Sequence, residues 1–253
     1  MKNNQFFDVN RFKLLVARQL TVNFNTMLIA AGAITGFLIV VSSLTVLTGG
    51  GGMSSEAFLG LVMPFFFIGG YLLTSVSFSE LNTPHKGYLY LMLPATAFEK
   101  LMSAWVISSV LYVVSGALII WGINLLLVVL SSIVGSQSVE ILNLFSPEVL
   151  KPLGVYLVTQ SVFFLGAIWF RKVHFLKTLL SMFGVLMMVT FFTGIMTMIF
   201  FFSADKGFSF NSNNSFNLSG YPFVSELIKY LFWICLAPFF ITVAYFRLKE
   251  REV

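Results

Sequence analysis

Charged residues are scarce in this sequence. Only 10% of the 253 residues are Asp, Glu, Lys or Arg, and 58% are hydrophobic. An ordinary soluble domain has about 25% charged and about 45–50% apolar residues. The apolar residues also form long unbroken runs, without the alternation typical of outer-membrane β-barrel strands. The composition therefore excludes a soluble domain and predicts an all-α, polytopic membrane protein in which residues 1–253 form a single transmembrane domain.

Groups that carry chemistry are also missing. Because Cys235 is the single cysteine, an intrachain disulfide is excluded. The sequence has no GxxxxGK[ST] phosphate-binding loop. The central part of each predicted span lacks Asp, Glu, Lys, Arg and His, which ion relays and intramembrane catalysis require. We therefore expect no catalytic residue, no metal site and no cofactor bound by this chain, and we do not expect an enzyme.

Six apolar runs are long enough to cross the roughly 30 Å hydrocarbon core, which takes about 20 helical residues. They predict transmembrane helices at residues 27–47, 57–78, 102–130, 153–170, 178–202 and 225–245. In residues 1–26, Phe12, Val16 and Leu20 recur at helical spacing, which predicts an N-terminal interfacial helix on the cytoplasmic surface. A plain juxtamembrane anchor is the alternative.

Basic residues indicate the orientation of these helices. Twelve of the 15 Lys and Arg residues fall in the N-terminal tail, the connections after the second and fourth runs, and the C-terminal tail. Because positively charged loops stay in the cytoplasm, the N- and C-termini are both predicted to be cytoplasmic. The same distribution explains the net charge of +5 without nucleic acid as a partner, since the basic residues form no single patch.

A few polar and small residues interrupt the apolar runs. Asn124 and Gln160 are the strongest polar groups there, and we expect them to approach each other at similar depth. They either line a substrate path or hold helices together, the second being the simpler interpretation. Gly32 and Gly36 form a GxxxG pattern that lets another helix approach closely. That helix belongs either to a second subunit or to the same chain. We favour packing within the chain or a chance match, since the chain has 19 glycines.

The connection between the second and third runs carries the most informative pattern, FSELNTPHKGYLYLMLPATAFEKLMSAW. Pro84 follows Asn82-Thr83, which is a helix-start signal and predicts a short helix parallel to the membrane. Further on, Thr96 and Glu99 match a capping box, so the third helix should begin near Ala97.

From Ala97 to Leu130 a helix is about 51 Å long, well beyond the hydrocarbon thickness. A short helix beside such a projecting rod would carry movement from a soluble partner into the bundle. A well-capped connection without that role is the alternative.

The layout of six spans and the element LPATAFEK at residues 93–100 resemble the membrane subunits of ATP-binding-cassette exporters of the type-2 permease kind. The resemblance is strongest to small bacterial forms with an LPAS-x-x-EK element at this place. Thr96 stands here in place of Ser and preserves the cap. In topology the resemblance covers nearly the whole chain, and in motif only LMLPATAFEKLMSAW.

The resemblance implies a permease subunit in the bacterial cytoplasmic (inner) membrane that exports an apolar or amphipathic substrate. Its partners would be membrane lipid, a second permease subunit in a homo- or heterodimer, and a separate ATPase subunit that binds ATP and Mg. The coupling segment that docks on the ATPase would contain Glu80, Asn82, Thr83, Pro84, His85, Lys86, Tyr88 and Tyr90. Pro94, Thr96 and Glu99 would set its angle to the third span.

Two other functions remain open from the sequence. One is an ATP-independent facilitator or secondary transporter, which the missing ion sites disfavour. The other is a non-transporting membrane protein of the same fold.

Overall fold

The computed structural model describes residues 7–48, 53–78, 87, 92–134, 139–170, 174–202 and 230–252. This part of the chain is helical throughout its regular structure, with no strand. Its α-helices are α1 (Val9–Thr48), α2 (Ser55–Val76), α3 (Ala97–Val106), α4 (Tyr112–Val134), α5 (Pro147–Trp169), α6 (His174–Phe202) and α7 (Leu236–Glu252). Two π-helical segments are also present: π1 (Ile107–Leu111) joins α3 to α4, and π2 (Leu231–Cys235) leads into α7.

Five of the predicted spans coincide with helices that are long and apolar enough to cross a membrane. They are Met27–Leu47, Ser55–Val76, Ala97–Ile133, Pro147–Trp169 and His174–Met196. The predicted sixth span, residues 225–245, lies partly outside the described residues, and its described part is helical from π2 into α7.

Helix α1 joins two elements that the sequence analysis separates. It runs without a break for 40 residues, about 60 Å, from the predicted interfacial segment through the first predicted span. The expected interfacial helix is therefore not a separate element within residues 7–48. No Pro or Gly lies between Val9 and Ile29, so nothing in the local sequence breaks the helix there.

The third predicted span is part of a longer rod, α3–π1–α4. It begins at Ala97, as the capping box predicts, and the candidate span within it extends to Ile133, 37 residues in all. At about 1.5 Å per residue the rod is roughly 55 Å long. It therefore exceeds the hydrocarbon thickness by an even larger margin than the sequence suggests.

The fourth span begins earlier than predicted. Helix α5 starts at Pro147, six positions before the expected 153, with Ser146 as its N-cap residue. Pro is favoured in the first helical turn because its missing N–H would have no partner there. Pro152 lies inside α5, where its missing N–H removes one i to i−4 hydrogen bond, and the helix continues through it.

Helix α5 lies at the centre of the bundle and contacts α2, α6 and α7, whereas α1 lies along α3 and α4. Two apolar clusters hold this arrangement together. One lies between α1, α2, α4, α5 and the segment 139–142, and includes Phe58, Phe66, Leu127 and Tyr156. The other lies between α3, α5 and α7, and includes Leu101, Phe164 and Leu248.

The beginning of α1 and the end of α7 lie at the same end of the bundle. The ring of Phe98, in the first turn of α3, is 6.2 Å from the ring of Phe7 and 6.3 Å from the ring of Tyr245. At this end Arg247 also stacks over Trp169, the last residue of α5, at 4.6 Å. We call it the Phe98 end.

Helix α6 has few neighbours in the chain. Its first turns contact α5, where the Phe175 ring stacks on Phe163 at 5.8 Å. None of residues 179–196 is buried by the described part of the chain, and large apolar side chains such as Met188 and Phe191 are exposed. An apolar helix that the described part of the chain leaves exposed on all sides needs an apolar environment, such as lipid or a second subunit.

Candidate functional site

The predicted docking segment lies outside the described residues. This applies to Glu80, Asn82, Thr83, Pro84, His85, Lys86, Tyr88 and Tyr90. The structure does describe the residues that follow it. Pro94 lies in a tight turn closed by the Ala95 N–H, which donates to the Leu93 carbonyl at 2.7 Å. This turn leads directly into the cap of α3.

The predicted capping box is present at the start of α3. The Glu99 N–H donates to Thr96 Oγ1 at 3.2 Å, and the Thr96 N–H donates to Glu99 Oε2 at 2.9 Å. The side chains of Thr96 and Glu99 therefore each accept from a backbone N–H that would otherwise have no partner at the helix end.

Glu99 has two further partners that its own helix does not supply. Its Oε1 atom accepts a 2.7 Å hydrogen bond from the Asp8 N–H and forms a 3.1 Å ion pair with Arg11 Nη2. The Glu99 side chain is fully buried, while that of Arg11 is 35% exposed. We call Asp8, Arg11, Thr96 and Glu99 the Glu99 clasp.

One carboxylate thus caps two helices. Asp8 precedes α1, its Oδ1 accepts from the Asn10 N–H at 2.8 Å, and its carbonyl accepts from the Phe12 N–H. In a capping box, the side chain of the third helical residue accepts from the N–H of the N-cap residue. In α1 the third helical residue is Arg11, whose side chain has no acceptor atom. Glu99 of α3 takes this place.

The electrostatics of the clasp are favourable at three points. A buried carboxylate is costly unless it is paired and hydrogen-bonded, and Glu99 has a cation and two backbone donors. The positive N-terminal ends of α1 and α3 both face it. Arg11 Nε also lies 4.0 Å from Asp8 Oδ2, so the guanidinium is near both carboxylates.

Aromatic rings cover the clasp. Phe7 contacts both Phe12 and Phe98, with ring centroids 5.7 and 6.2 Å apart, and Phe98 contacts Tyr245 of α7. Lys100, adjacent to Glu99, is also buried. Three helices therefore meet around one buried carboxylate at the Phe98 end.

A second polar cluster surrounds π1, in the middle of the rod. Gln160 of α5 accepts from Ser109 Oγ at 2.8 Å and donates through Nε2 to Ser108 Oγ at 2.7 Å. The Tyr156 hydroxyl donates to the Ser108 carbonyl at 2.9 Å. Ser108 Oγ donates to the Ala104 carbonyl at 2.9 Å. Because these groups are buried and bonded to one another, they hold α5 against the rod.

The same region contains closely packed aromatic rings from α2, α4 and α5. The Tyr112 hydroxyl donates to the Phe66 carbonyl at 2.6 Å, and the Tyr71 and Thr159 hydroxyls lie 2.6 Å apart. A Cβ atom added at Gly70 would overlap the Tyr156 ring. Glycine is therefore required there for the close approach of α2 and α5.

Asn124 and Gln160 do not approach each other, contrary to the sequence-based expectation. Asn124 Nδ2 donates to the Glu140 carbonyl at 3.2 Å, and its Oδ1 accepts from the Leu142 N–H at 2.9 Å. Gln160 instead pairs with Ser108 and Ser109. The fifteen residues from Ser109 to Asn124 span about 22 Å of helix, which separates the two amides. Both serve packing within the chain.

The segment that Asn124 holds also contacts α2. The Ser55 N–H donates to Glu140 Oε2 at 3.1 Å, next to the Ser54 N-cap. The Val139 and Leu142 side chains are buried in the first apolar cluster. At the end opposite to Phe98, Asn124 thus joins the rod to a connecting segment and to the start of α2.

Gly32 and Gly36 do not pack against another helix within the described residues, so of the two interpretations that we favour, packing within the chain is not seen there. A Cβ atom at either position would have no other atom within 4 Å among the described residues. The contacts of α1 are made through other positions, including Leu38 and Val46.

The sequence analysis did not predict the contacts of Glu99 with Asp8 and Arg11. The available signal was Arg11 itself, because a cation at the positive N-terminal end of a helix is unfavourable without a nearby carboxylate. Which carboxylate it meets depends on tertiary packing.

Within the described residues, no three His, Cys, Asp or Glu side chains are grouped so that they could hold a metal ion. The fold and these sites define a class: an all-helical chain with five apolar helices long enough to cross a membrane, as in a multi-pass membrane protein. Comparison with protein-family models, with curated proteins and with solved structures finds no match for this chain.

Proposed function

We propose that this chain is the transmembrane permease subunit of an ATP-binding-cassette exporter in the bacterial inner membrane. The single observation that carries the proposal is the rod α3–π1–α4, which is capped at Thr96, is 37 residues long over its candidate span, and directly follows the LPAT turn. Because it exceeds the hydrocarbon thickness, one end projects from the bilayer, and that end follows the segment 80–90 in the sequence.

Six spans with both termini in the cytoplasm are part of the proposal. The contacts of Phe98 with Phe7 and Tyr245 support it, since a chain that starts and finishes at one end of a bundle crosses it an even number of times. Five spans precede residue 203, so a sixth, over about 225–245, returns the chain to the Phe98 end. The positive tails favour the cytoplasm for that end.

The first turns of α1 also belong to the cytoplasmic side in this arrangement. Helix α1 is about 60 Å long, twice the hydrocarbon thickness of about 30 Å. Its candidate span begins at Met27, which leaves Val9 and the following turns outside the apolar window. We propose that this part projects or tilts along the inner surface together with the start of α3.

A second permease subunit is the proposed neighbour of α6, in a homo- or heterodimer. The support is that this helix is apolar on all sides and that none of residues 179–196 is buried by the described part of the chain. Lipid covers what the second subunit leaves exposed.

The driving force would come from a separate ATPase subunit that binds ATP and Mg. This chain has no phosphate-binding loop, and its predicted spans have no ionisable groups in their central parts. The ATPase would dock on the segment that contains Pro84, His85 and Lys86. An apolar or amphipathic substrate fits predicted spans whose central parts carry hydroxyls and the two amides of Asn124 and Gln160 as polar groups.

The test is affinity purification of the tagged chain from gentle detergent, followed by assay of ATP hydrolysis. We expect an ATPase subunit to co-purify with the native chain, and the triple variant P84A/H85A/K86A to lose it. The control E140Q/N143A changes polar groups at the opposite end of the bundle and should retain the ATPase. If no ATPase co-purifies and transport proceeds without ATP, the chain is a facilitator and the proposal is wrong.

A further inference from the structure

The Glu99 clasp connects α1 to the part of the chain that the proposed docking segment would move. We propose that Glu99 is a positioning residue that makes the first turns of α1 and α3 move as one body. On this proposal, which rests on the permease function above, a displacement of segment 80–90 reaches α1 as well as the rod. No capping pattern along the sequence assigns Glu99 this second role.

The link from the docking segment to the clasp is short and constrained. Residue 91 is followed by the turn that the Ala95 N–H closes on the Leu93 carbonyl, and Thr96 is the next residue. Pro94 fixes its own φ angle within that turn. We therefore expect that a displacement of the chain before this turn also displaces Thr96, because the turn allows little change in its own shape.

The clasp is costly to open. Separating α1 from α3 would remove the Asp8 N–H and the Arg11 guanidinium from a fully buried carboxylate. Removing one partner of a buried charge is strongly destabilising, because the other charge stays in an apolar environment. The ion pair of Arg247 and Glu250 is of the opposite kind, since both side chains are exposed and such pairs contribute little.

The clasp joins α1 to the rest of the described chain by polar contacts to a buried carboxylate. In the candidate span of α1, Met27–Leu47, the described chain buries only Leu38, Ser42 and Val46. Further along the chain, α1 is therefore held mainly by one apolar face against α2 and α4. The clasp adds a polar contact that fixes the beginning of α1 to α3.

The first experiment measures the clasp without any partner protein. In a chain with Cys235→Ser, cysteines replace Phe7 and Phe98, whose ring centroids are 6.2 Å apart, and a short bifunctional methanethiosulfonate linker joins them. We expect efficient cross-linking with native Glu99 and a several-fold lower yield with E99Q. Unchanged cross-linking in E99Q would overturn the proposal.

Two further variants make this result specific. R11Q removes the ion pair and leaves both backbone hydrogen bonds, so it should reduce the yield less than E99Q and remain informative if E99Q does not fold. If E99Q does not fold, unchanged cross-linking in R11Q overturns the proposal. The matched control is E56Q, the same change in the first turn of α2, where Glu56 is exposed. It should cross-link as the native chain does.

The second experiment measures joint movement in the complex with the co-purified ATPase. Spin labels are attached at Leu14 of α1 and Val110 of π1, which are 70% and 46% exposed. We expect the distance between them to be the same without nucleotide and with ATP and vanadate trapped. In E99Q the distance distribution should broaden and change on trapping.

The outcomes separate the two proposals. A change in the native distance on trapping would show that α1 and the rod move independently, which overturns the inference. If no ATPase co-purifies with the native chain, the permease function fails, while the cross-linking result still decides whether Glu99 fixes α1 to α3.

Discussion

The hydroxyl of Tyr156 donates a 2.9 Å hydrogen bond to the carbonyl oxygen of Ser108. Tyr156 lies in the middle of α5, and Ser108 lies in π1, where the rod departs from α-helical bonding. A π-helical turn interrupts the regular i to i−4 bonding, and such turns are common at functional sites. A tyrosine of the central helix thus binds to the one irregular turn of the described rod.

Replacing Tyr156 by Phe should destabilise the bundle by about 1 kcal/mol, because it removes one buried hydrogen bond and keeps the ring. The measurement is the midpoint of unfolding by SDS in mixed micelles. The control is Y230F, because the Tyr230 side chain is 62% exposed and its loss should leave the midpoint unchanged. Equal stability of Y156F and the native chain would contradict the bond.

Replacing Gly70 by Ala should destabilise the chain by about 1–3 kcal/mol, since the new methyl group would overlap the ring of Tyr156. The matched control is G184A in α6, where a Cβ atom has no other atom within 4 Å. There the higher helix propensity of Ala should leave stability equal or raise it by up to about 1 kcal/mol. The two variants are compared in the same unfolding assay, and equal effects would argue against the close contact of α2 and α5.

Replacing Asn124 by Ala should release the segment 139–142, because the buried backbone groups of Glu140 and Leu142 lose their partner. The expected cost is about 2 kcal/mol. The measurement is the rate at which a membrane-impermeant maleimide labels a cysteine at Leu142, which is buried in the native chain. We expect faster labelling in N124A.

The comparison variant is N143A. Asn143 accepts a 3.0 Å hydrogen bond from the Phe145 N–H in an exposed position. Its loss should leave the labelling rate near the native value. If N124A labels no faster than N143A, Asn124 does not hold the segment.

Paired cysteines should distinguish the partner of Gln160. Positions 109 and 160 carry side chains within 2.8 Å of each other, so S109C and Q160C should be joined by a short linker. Positions 124 and 160 should not be joined by the same linker, because Asn124 lies about 22 Å further along the rod. Cross-linking of 124 with 160 instead of 109 with 160 would restore the expectation drawn from the sequence.

Local patterns made much of the fold predictable. Five spans follow from apolar runs of sufficient length, and the start of the rod follows from Thr96 and Glu99, three residues apart. The errors fall at boundaries. The first helix begins well before the hydrophobic run, because polar residues continue a helix as readily as apolar ones when no Pro or Gly intervenes.

Partner choice could not be predicted for either amide. Asn124 and Gln160 are the polar groups that the sequence singles out, but their partners are a backbone segment and two serines. Depth in a membrane was the only guide from the sequence. It fails here because the segment 139–142 lies beside Asn124, so that α5 begins near that level. Gln160 lies thirteen residues further along α5, about 20 Å from its start.

Composition and local patterns are enough to predict an all-helical chain of long apolar spans whose central parts carry no ionisable residue, with a capping box at the start of the third span. These properties depend on composition and on contacts between residues up to four positions apart. The second role of the Glu99 carboxylate, which caps the helix starting at Val9 and pairs with Arg11, follows from the tertiary structure alone. The reason is physical: those partners are about ninety positions away in sequence and meet only when the bundle has packed.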